Sequence, residues 1–109
     1  MEDCIFCKIR DREIAKEFTY EDDDVMVFPD IHPLKPIHLL VVPKKHIEDY
    51  LEFNDSDLSA KVKLVINKML VEEKLEDGKG YRVSVNGGGA QAVAHVHFHL
   101  LGPISKTES

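Results

Sequence analysis

The longest regular hydrophobic pattern in the chain lies between residues 54 and 75. Apolar residues recur there at steps of three and four, the spacing of one face of an α-helix. They are Leu58, Val62, Val65, Ile66, Met69 and Leu70. Oxygen-bearing side chains at residues 54–56 can cap the first turn, and Asp77-Gly78 is a typical stop signal. The pattern therefore predicts one long amphipathic helix over residues 54–75.

Shorter apolar segments favour strands. Residues 38–42 (His-Leu-Leu-Val-Val) are apolar at both alternating positions, as in a central strand covered on both faces, and Pro43 should end it. Residues 17–21, 25–28, 81–85 and 95–101 are also predicted strands, while the prolines within residues 30–36 favour a loop. Residues 4–14 predict a short helix or turn. The expected fold class is α+β, an antiparallel sheet of about five strands with one long helix and a short N-terminal helix.

Composition narrows the functional classes. The chain has 109 residues, which fits a single domain over residues 1–109. Its formal net charge is −6 and it has no basic cluster, so we expect no nucleic-acid partner. No segment resembles a signal peptide or a transmembrane run, which predicts no membrane partner. Two cysteines in such a chain favour the reducing cytoplasm.

Three histidines near the end of the chain alternate with apolar residues. His95, His97 and His99 are two apart, so a strand would place their imidazoles on one face. A rise of about 3.3 Å per residue puts neighbouring imidazoles about 6.5 Å apart and the outer two about 13 Å apart, too far to share one metal ion. A polar strand face towards solvent would explain them simply. A row of imidazoles also suits phosphoryl chemistry, with a nucleophile flanked by groups that stabilise phosphate oxygens.

Residues 95–101 (His-Val-His-Phe-His-Leu-Leu) fit the His-x-His-x-His-x-x signature of the histidine triad superfamily, in which x is apolar. Residues 4–9 (Cys-Ile-Phe-Cys-Lys-Ile), 28–31 (Phe-Pro-Asp-Ile) and 38–46 also resemble the branch of histidine triad nucleotide-binding proteins. The resemblance covers nearly the whole chain. It implies the fold of that superfamily, a nucleotide-binding hydrolase that cleaves purine nucleoside 5′-phosphoramidates through a nucleotidyl-histidine intermediate, and a homodimer.

Site roles follow from the same resemblance. His97 matches the nucleophile and His99 the residue that contacts the α-phosphate, with His95 and His38 as the supporting pair. Asp30 matches the acid that binds the ribose hydroxyls of an AMP-like purine nucleotide. The matching apolar wall around the base is formed by Ile5, Phe6, Ile9, Phe28 and Ile31, and the phosphate-side polar contacts by Asn86 and Gln91.

One departure bears on activity. Ala90-Gln91-Ala92 stands where the family usually has Gly-Gln-Ser or Gly-Gln-Thr, so position 92 lacks a hydroxyl donor near the phosphate. A hydrogen bond to a charged group is worth about 1.5–3 kcal/mol, and slower turnover is expected without it. Two alternatives therefore stay open: a dinucleoside polyphosphate hydrolase, and a nucleotide-binding or scaffold protein with weak hydrolysis. His99 argues against the galactose uridylyltransferase branch, which has glutamine there.

Cys4 and Cys7 form a Cys-x-x-Cys pair. By itself this pair fits a redox couple, half a zinc site or two small buried residues, and zinc would need two further ligands. Several microbial members of the resembled family hold zinc on two cysteines and two histidines. The resemblance thus implies a structural zinc on Cys4, Cys7, His46 and His95, with no catalytic role; reduced thiols without metal are the alternative. His32 is expected to be an exposed loop residue without a role.

Overall fold

A computed structural model describes residues 3–108 of the chain. Its five strands form one antiparallel sheet in the order β1-β2-β3-β5-β4, and two α-helices pack on it, which confirms the predicted α+β fold. The elements are α1 (Ile5–Arg10), β1 (Tyr20–Glu21), β2 (Val25–Pro29), β3 (Ile37–Pro43), α2 (Ser56–Glu72), β4 (Arg82–Val85) and β5 (Phe98–Gly102).

The sheet is covered on both faces. One face packs against the apolar stripe of α2, and all six residues predicted for that stripe are buried. The other face packs against α1, where Phe6 and Ile9 contact Phe28 and Leu40. Strand β3 is central and is buried on both sides, as its apolar run predicts. Since burying a large aliphatic side chain stabilises a fold by about 1.5–3 kcal/mol, these two layers hold the helices in place.

Helix α2 is shorter than predicted. It begins at Ser56 because the Asp55 side chain accepts a hydrogen bond from the Leu58 N–H at 3.1 Å. It ends at Glu72, well before Asp77-Gly78. Lys74 has a φ of 58°, and the Leu75 N–H donates to the Leu70 carbonyl at 3.0 Å, which closes the last turn in the manner of a left-handed cap. The predicted stop was wrong because a lysine, followed by the buried Leu75, takes the position that usually favours glycine.

Strand β5 begins at Phe98 and not at His95, because its neighbour β3 ends at Pro43, which has no N–H to donate. The Val96 N–H donates instead to the Ile47 carbonyl at 2.7 Å. The predicted alternation persists through this irregular stretch, since Val96 is buried in the α2 core while the His95 ring lies against α1.

The other strands differ from prediction by smaller amounts. Strand β1 is confined to Tyr20–Glu21 where residues 17–21 were expected, and β4 starts one residue later than predicted, at Arg82. Within residues 3–108, no helix has both the length and the apolar character needed to cross a membrane.

Candidate active site and metal cluster

A cavity of about 320 Å³ opens on the α1 side of the sheet. Apolar side chains of α1, β2 and β3 form one part of its wall, among them Phe6, Phe28 and Leu40. Polar groups, including Asp30 and His97, form another. The predicted nucleotide-binding residues found in the lining are Ile5, Phe6, Ile9, Phe28, Asp30, Ile31 and Asn86, together with His97 and His99 of the triad.

The central triad residue, His97, is held in one tautomer. Its Nδ1 lies 2.8 Å from the main-chain oxygen of His95. A carbonyl oxygen only accepts hydrogen bonds, so Nδ1 carries the proton and Nε2 keeps its lone pair. The ring is buried and its centroid lies 5.0 Å from that of Phe6, in an edge-to-face contact. The neutral form of His97 thus directs an oriented Nε2 lone pair, the group required of a nucleophile, towards the cavity.

A chain of hydrogen bonds also sets the tautomer of His99. The Leu34 N–H donates to His38 Nδ1 at 3.1 Å, so a neutral His38 carries its proton on Nε2. His38 Nε2 lies 2.9 Å from His99 Nδ1 and therefore donates to it. Since Nδ1 of His99 accepts, the single N–H proton of its neutral ring is on Nε2. This atom is buried and has no hydrogen-bond partner in the described part of the chain.

The electrostatic environment keeps His99 neutral. Burial, together with the neighbouring His97 and His38 rings, lowers the pKa of His99 below its ordinary value. The Asp30 carboxylate, whose Oδ2 lies 3.4 Å from His38 Nε2, raises the pKa of His99 but does not cancel this lowering. His99 therefore presents a neutral N–H donor beside His97, whose ring centroid lies 5.0 Å away.

A second group of side chains meets behind α1. Cys4, Cys7, His46 and His95 each direct one ligand atom to a common point, all within 4.8 Å of one another. His95 Nδ1 lies 3.4 Å from Cys4 Sγ and 3.2 Å from His46 Nδ1, and Cys7 Sγ lies 3.2 Å from His46 Nδ1. In a tetrahedral zinc site the bonds are about 2.3 Å to sulfur and about 2.0–2.1 Å to nitrogen. The ligand atoms of such a site are therefore roughly 3.3–3.8 Å apart. The four residues, here called the metal cluster, could bind a metal ion, and the three separations given above lie close to those values.

The protonation of the metal cluster agrees with this fit. His95 Nε2 lies 2.7 Å from the Pro43 carbonyl, so its proton is there and Nδ1 keeps a lone pair directed at the cysteines. Complete burial lowers the pKa of His95 to about 4, which keeps the imidazole neutral. Burial and the adjacent Cys4 raise the pKa of the Cys7 thiol. A bound cation would offset that effect, since coordinating thiols are deprotonated.

The comparisons with known proteins agree with this geometry. A family model described as "Scavenger mRNA decapping enzyme C-term binding" matches residues 3–109. Protein HitA of Neisseria gonorrhoeae is 36% identical over 104 residues, covering 94% of this chain and 97% of HitA. A HIT family hydrolase from Legionella pneumophila has a solved structure that is 41% identical, covers 94% of this chain and 95% of its own, and superposes with a TM-score of 0.87. The chain belongs to the histidine triad (HIT) family.

A further HIT structure is the histidine triad nucleotide-binding protein from Candida albicans. It is 34% identical to this chain, with a TM-score of 0.82, and the match covers 90% of this HIT chain and 73% of the other.

Besides His38, which supports His99, two residues predicted for the HIT site do not line the cavity. The Gln91 side chain is turned away from the cavity lining: its Oε1 accepts from the Gly89 N–H at 2.9 Å and its Nε2 donates to the Glu48 carbonyl at 3.0 Å. The His95 ring belongs to the metal cluster, so only its main-chain oxygen serves His97. Gln91 thus braces the glycine-rich turn, and His95 supports the site through its backbone.

The cavity lining also includes residues that sequence reasoning missed. They are Lys16, Pro29, His32, Leu40, Ala90 and Val93. Ala92, noted in the sequence for its missing hydroxyl, lies in the lining as well. His32 was expected to have no role; it is exposed and lines the cavity. Lys16 reaches the cavity through its long side chain, with Nζ 5.3 Å from the centroid of the Phe28 ring. No local pattern around Lys16 points to such a position, whereas Leu40 could have been found from its parity with His38 on β3.

Asp30, His38 and His99 also lie close enough together to hold a cation. The hydrogen bonds argue against that use. His38 accepts at Nδ1 and donates at Nε2, so it has no free lone pair to offer a metal. This group is better described as the support of His99.

Proposed function

We propose that this HIT protein hydrolyses purine nucleoside 5′-phosphoramidates to a purine nucleoside 5′-monophosphate and an amine. The observation that carries the proposal is the hydrogen bond from His97 Nδ1 to the His95 carbonyl, which leaves the Nε2 lone pair available beside an apolar cavity. The similarity to a protein described as a HIT family hydrolase and to one described as nucleotide-binding supports it.

The reaction would have two steps. His97 Nε2 attacks the α-phosphorus, a P–N bond forms to the imidazole, and the P–N bond to the amine breaks as the amine takes up a proton from solvent, which the water of the second step restores. Water then attacks the same phosphorus, the bond to His97 breaks, and the nucleoside monophosphate leaves with the oxygen of water. His99 Nε2–H, which is buried without a partner among residues 3–108, would donate to a phosphate oxygen in both steps.

The remaining lining residues would hold the nucleotide. Phe6 and Phe28 would pack against the purine, since their rings form an edge-to-face pair with centroids 5.6 Å apart in the cavity wall. Asp30 would accept hydrogen bonds from the ribose hydroxyls, and Asn86 would lie on the phosphate side. Ala92, which lines the cavity without a hydroxyl, would leave one potential phosphate donor missing.

We also propose that the metal cluster holds a structural zinc ion through Cys4, Cys7, His46 and His95. When bound, zinc would tie α1 to the end of β3 and to the segment before β5, and it would take no part in the reaction. Elemental analysis after purification without chelator should find close to one zinc per chain. His46→Ala should lose it, while His32→Ala, outside the metal cluster, should retain it. Zinc-free wild-type protein would contradict this assignment.

A homodimer and a cytoplasmic location complete the proposal. Strand β4 is at one edge of the sheet, and Tyr81 and Val83 beside or within it are exposed. An exposed edge strand is a ready template for pairing with another chain. Light scattering after size-exclusion chromatography should give twice the mass of one chain, and a monomeric mass would reject the dimer.

The deciding experiment compares wild type with His97→Ala on adenosine 5′-phosphoramidate. Wild type should release AMP, and the variant should be slower by on the order of 10⁴-fold or more, as when a catalytic nucleophile is removed. AMP binding by the variant provides the control that the cavity is intact. Equal rates would refute the catalytic proposal and leave a nucleotide-binding or scaffold role. Faster cleavage of a dinucleoside tetraphosphate than of the phosphoramidate would instead favour a dinucleoside polyphosphate hydrolase.

A further inference from the structure

Helix α1 contributes to two sites at once. Cys4 caps its first turn, accepting from the Cys7 N–H at 3.4 Å, and both cysteines belong to the metal cluster. The residues between and after them, Ile5, Phe6 and Ile9, line the nucleotide cavity. The same six-residue helix therefore provides two ligands of one site and part of the wall of the other.

Phe6 is the contact that joins the two sites. Its ring centroid lies 5.7 Å from that of His95 in the metal cluster and 5.0 Å from that of His97 in the cavity, edge-to-face in both cases. Phe6 is buried, and it stands next to Cys7 in the chain. A displacement of the backbone at Cys7 would therefore act directly on the residue whose ring packs on His97.

Beyond the apolar packing of Phe6 and Ile9 on the sheet, the polar contacts of helix α1 with the rest of the described chain are few. A helix of six residues has no stability of its own, because isolated helices shorter than about 12–15 residues are marginal in water. The Arg10 guanidinium donates to the Lys44 carbonyl at 2.9 Å near the C-terminal end of the helix. Near its N-terminal end the polar ties are those of Cys4 and Cys7 to the metal cluster. An ion bound there would thus fix the end of α1 that carries Phe6.

A second connection runs through the backbone. The His95 imidazole faces the cysteines, and its own carbonyl oxygen fixes the tautomer of His97. A displacement of the His95 backbone on metal binding would also displace this oxygen, and with it the 2.8 Å hydrogen bond that orients His97.

We infer that metal binding at the cluster and nucleotide binding in the cavity favour each other, with Phe6 as the positioning residue between them. The inference rests on the proposed nucleotide function. Coupled sites usually change each other's affinity by about 5- to 150-fold, and the factor must be the same in both directions. AMP should therefore bind at least about fivefold more weakly to metal-free protein, and zinc should bind more tightly by the same factor when AMP is present.

Calorimetry can measure the AMP dissociation constant for zinc-loaded and chelator-stripped protein, with circular dichroism to show that both are folded. Zinc affinity with and without AMP follows from competition with a chromophoric chelator. Equal AMP affinity in the two folded forms would overturn the inference. If the stripped protein unfolds, Cys4→Ser replaces it, since three ligands remain and zinc occupancy can be varied by titration.

Two variants of α1 test the role of Phe6. Phe6→Leu keeps all four ligands, so it should bind one zinc, yet its coupling factor should fall towards one. Ile9→Val is the matched control: it changes the same helix and the same cavity but leaves both ring contacts of Phe6 in place, so it should keep the wild-type factor. An unchanged factor in Phe6→Leu would reject Phe6 as the link.

Failure of the nucleotide proposal can be told apart from failure of the coupling. If zinc-loaded wild type does not bind AMP, the proposed function fails. The coupling is then judged from the ¹⁵N resonances of the His97 ring, which report its tautomer and surroundings without any nucleotide. These resonances should shift when zinc is removed, and unchanged resonances would overturn the coupling.

Discussion

Replacing His38 by asparagine should slow hydrolysis, whereas replacing it by glutamine should leave most of the rate. His38 Nε2 donates to His99 Nδ1 at 2.9 Å, and this bond keeps the remaining proton of His99 on Nε2. A glutamine amide nitrogen can occupy the position of the histidine Nε2 and preserve the donor. Asparagine is too short to do so, and its polar atoms would instead lie near the Leu34 N–H.

The magnitude follows from the donor that is lost. Without the bond from His38, the His99 proton can move to Nδ1, and Nε2 then meets a phosphate oxygen with a lone pair. A hydrogen bond to a charged group contributes about 1.5–3 kcal/mol. At about 1.36 kcal/mol per tenfold change in rate, kcat/KM should fall by roughly 10- to 150-fold in His38→Asn.

Steady-state kinetics on adenosine 5′-phosphoramidate would measure this, together with the ¹⁵N shifts of His99 in both variants. The expected result is a His99 proton on Nε2 in wild type and His38→Gln, and on Nδ1 or shared in His38→Asn. Equal kcat/KM values for the two variants would refute the reasoning, because both are neutral amides in the same buried position. A lower rate in His38→Asn with an unchanged His99 tautomer would refute it as well.

Three other predictions concern activity, pH and stability. Ala92→Ser should raise kcat by supplying a phosphate donor, and an unchanged rate would reject that role. The pKa of His99 is lowered in the folded protein, so below about pH 6.5 this residue binds more protons in the unfolded chain than in the folded one. His99 therefore lowers the free energy of unfolding of wild type as the pH falls below that value. Urea titrations should show that the free energy of unfolding falls less between pH 7.5 and pH 5.5 in His99→Asn than in wild type. An equal fall in the two proteins would contradict this. Met69→Ala, 1% exposed, should lower that free energy by about 2–5 kcal/mol. The nearby Val71→Ala, 58% exposed, should change it by less than about 0.5 kcal/mol, and similar losses in both would argue against the α2 core.

Much of the fold could be predicted from local patterns. The stripe of α2 was predicted residue by residue because burial on one face leaves a periodic trace in sequence. Its end could not be predicted, since Lys74 is held in a left-handed conformation by the buried Leu75 and not by its own preference. Similarly, β5 starts late because of Pro43, a residue of another strand.

The candidate site was predictable where chemistry depends on residue type and order. The four residues of the metal cluster come from three distant segments, and only the family resemblance brought them together. Gln91 shows the opposite case, because a side chain of the expected type is turned towards Gly89 and Glu48. Which way a flexible polar side chain points is decided by neighbours that the local sequence does not reveal.

The two faces of the sheet are built by separate sets of residues. Residues that pack with α2 form the larger core, while α1 and the adjoining loops cover the face that holds the imidazoles. Substitutions around the cavity can therefore accumulate without disturbing the larger core. Such a division confines the packing lost through a substitution in the cavity wall to the α1 layer. It also suggests where an engineer should randomise: the α1 layer first, with the α2 layer left untouched.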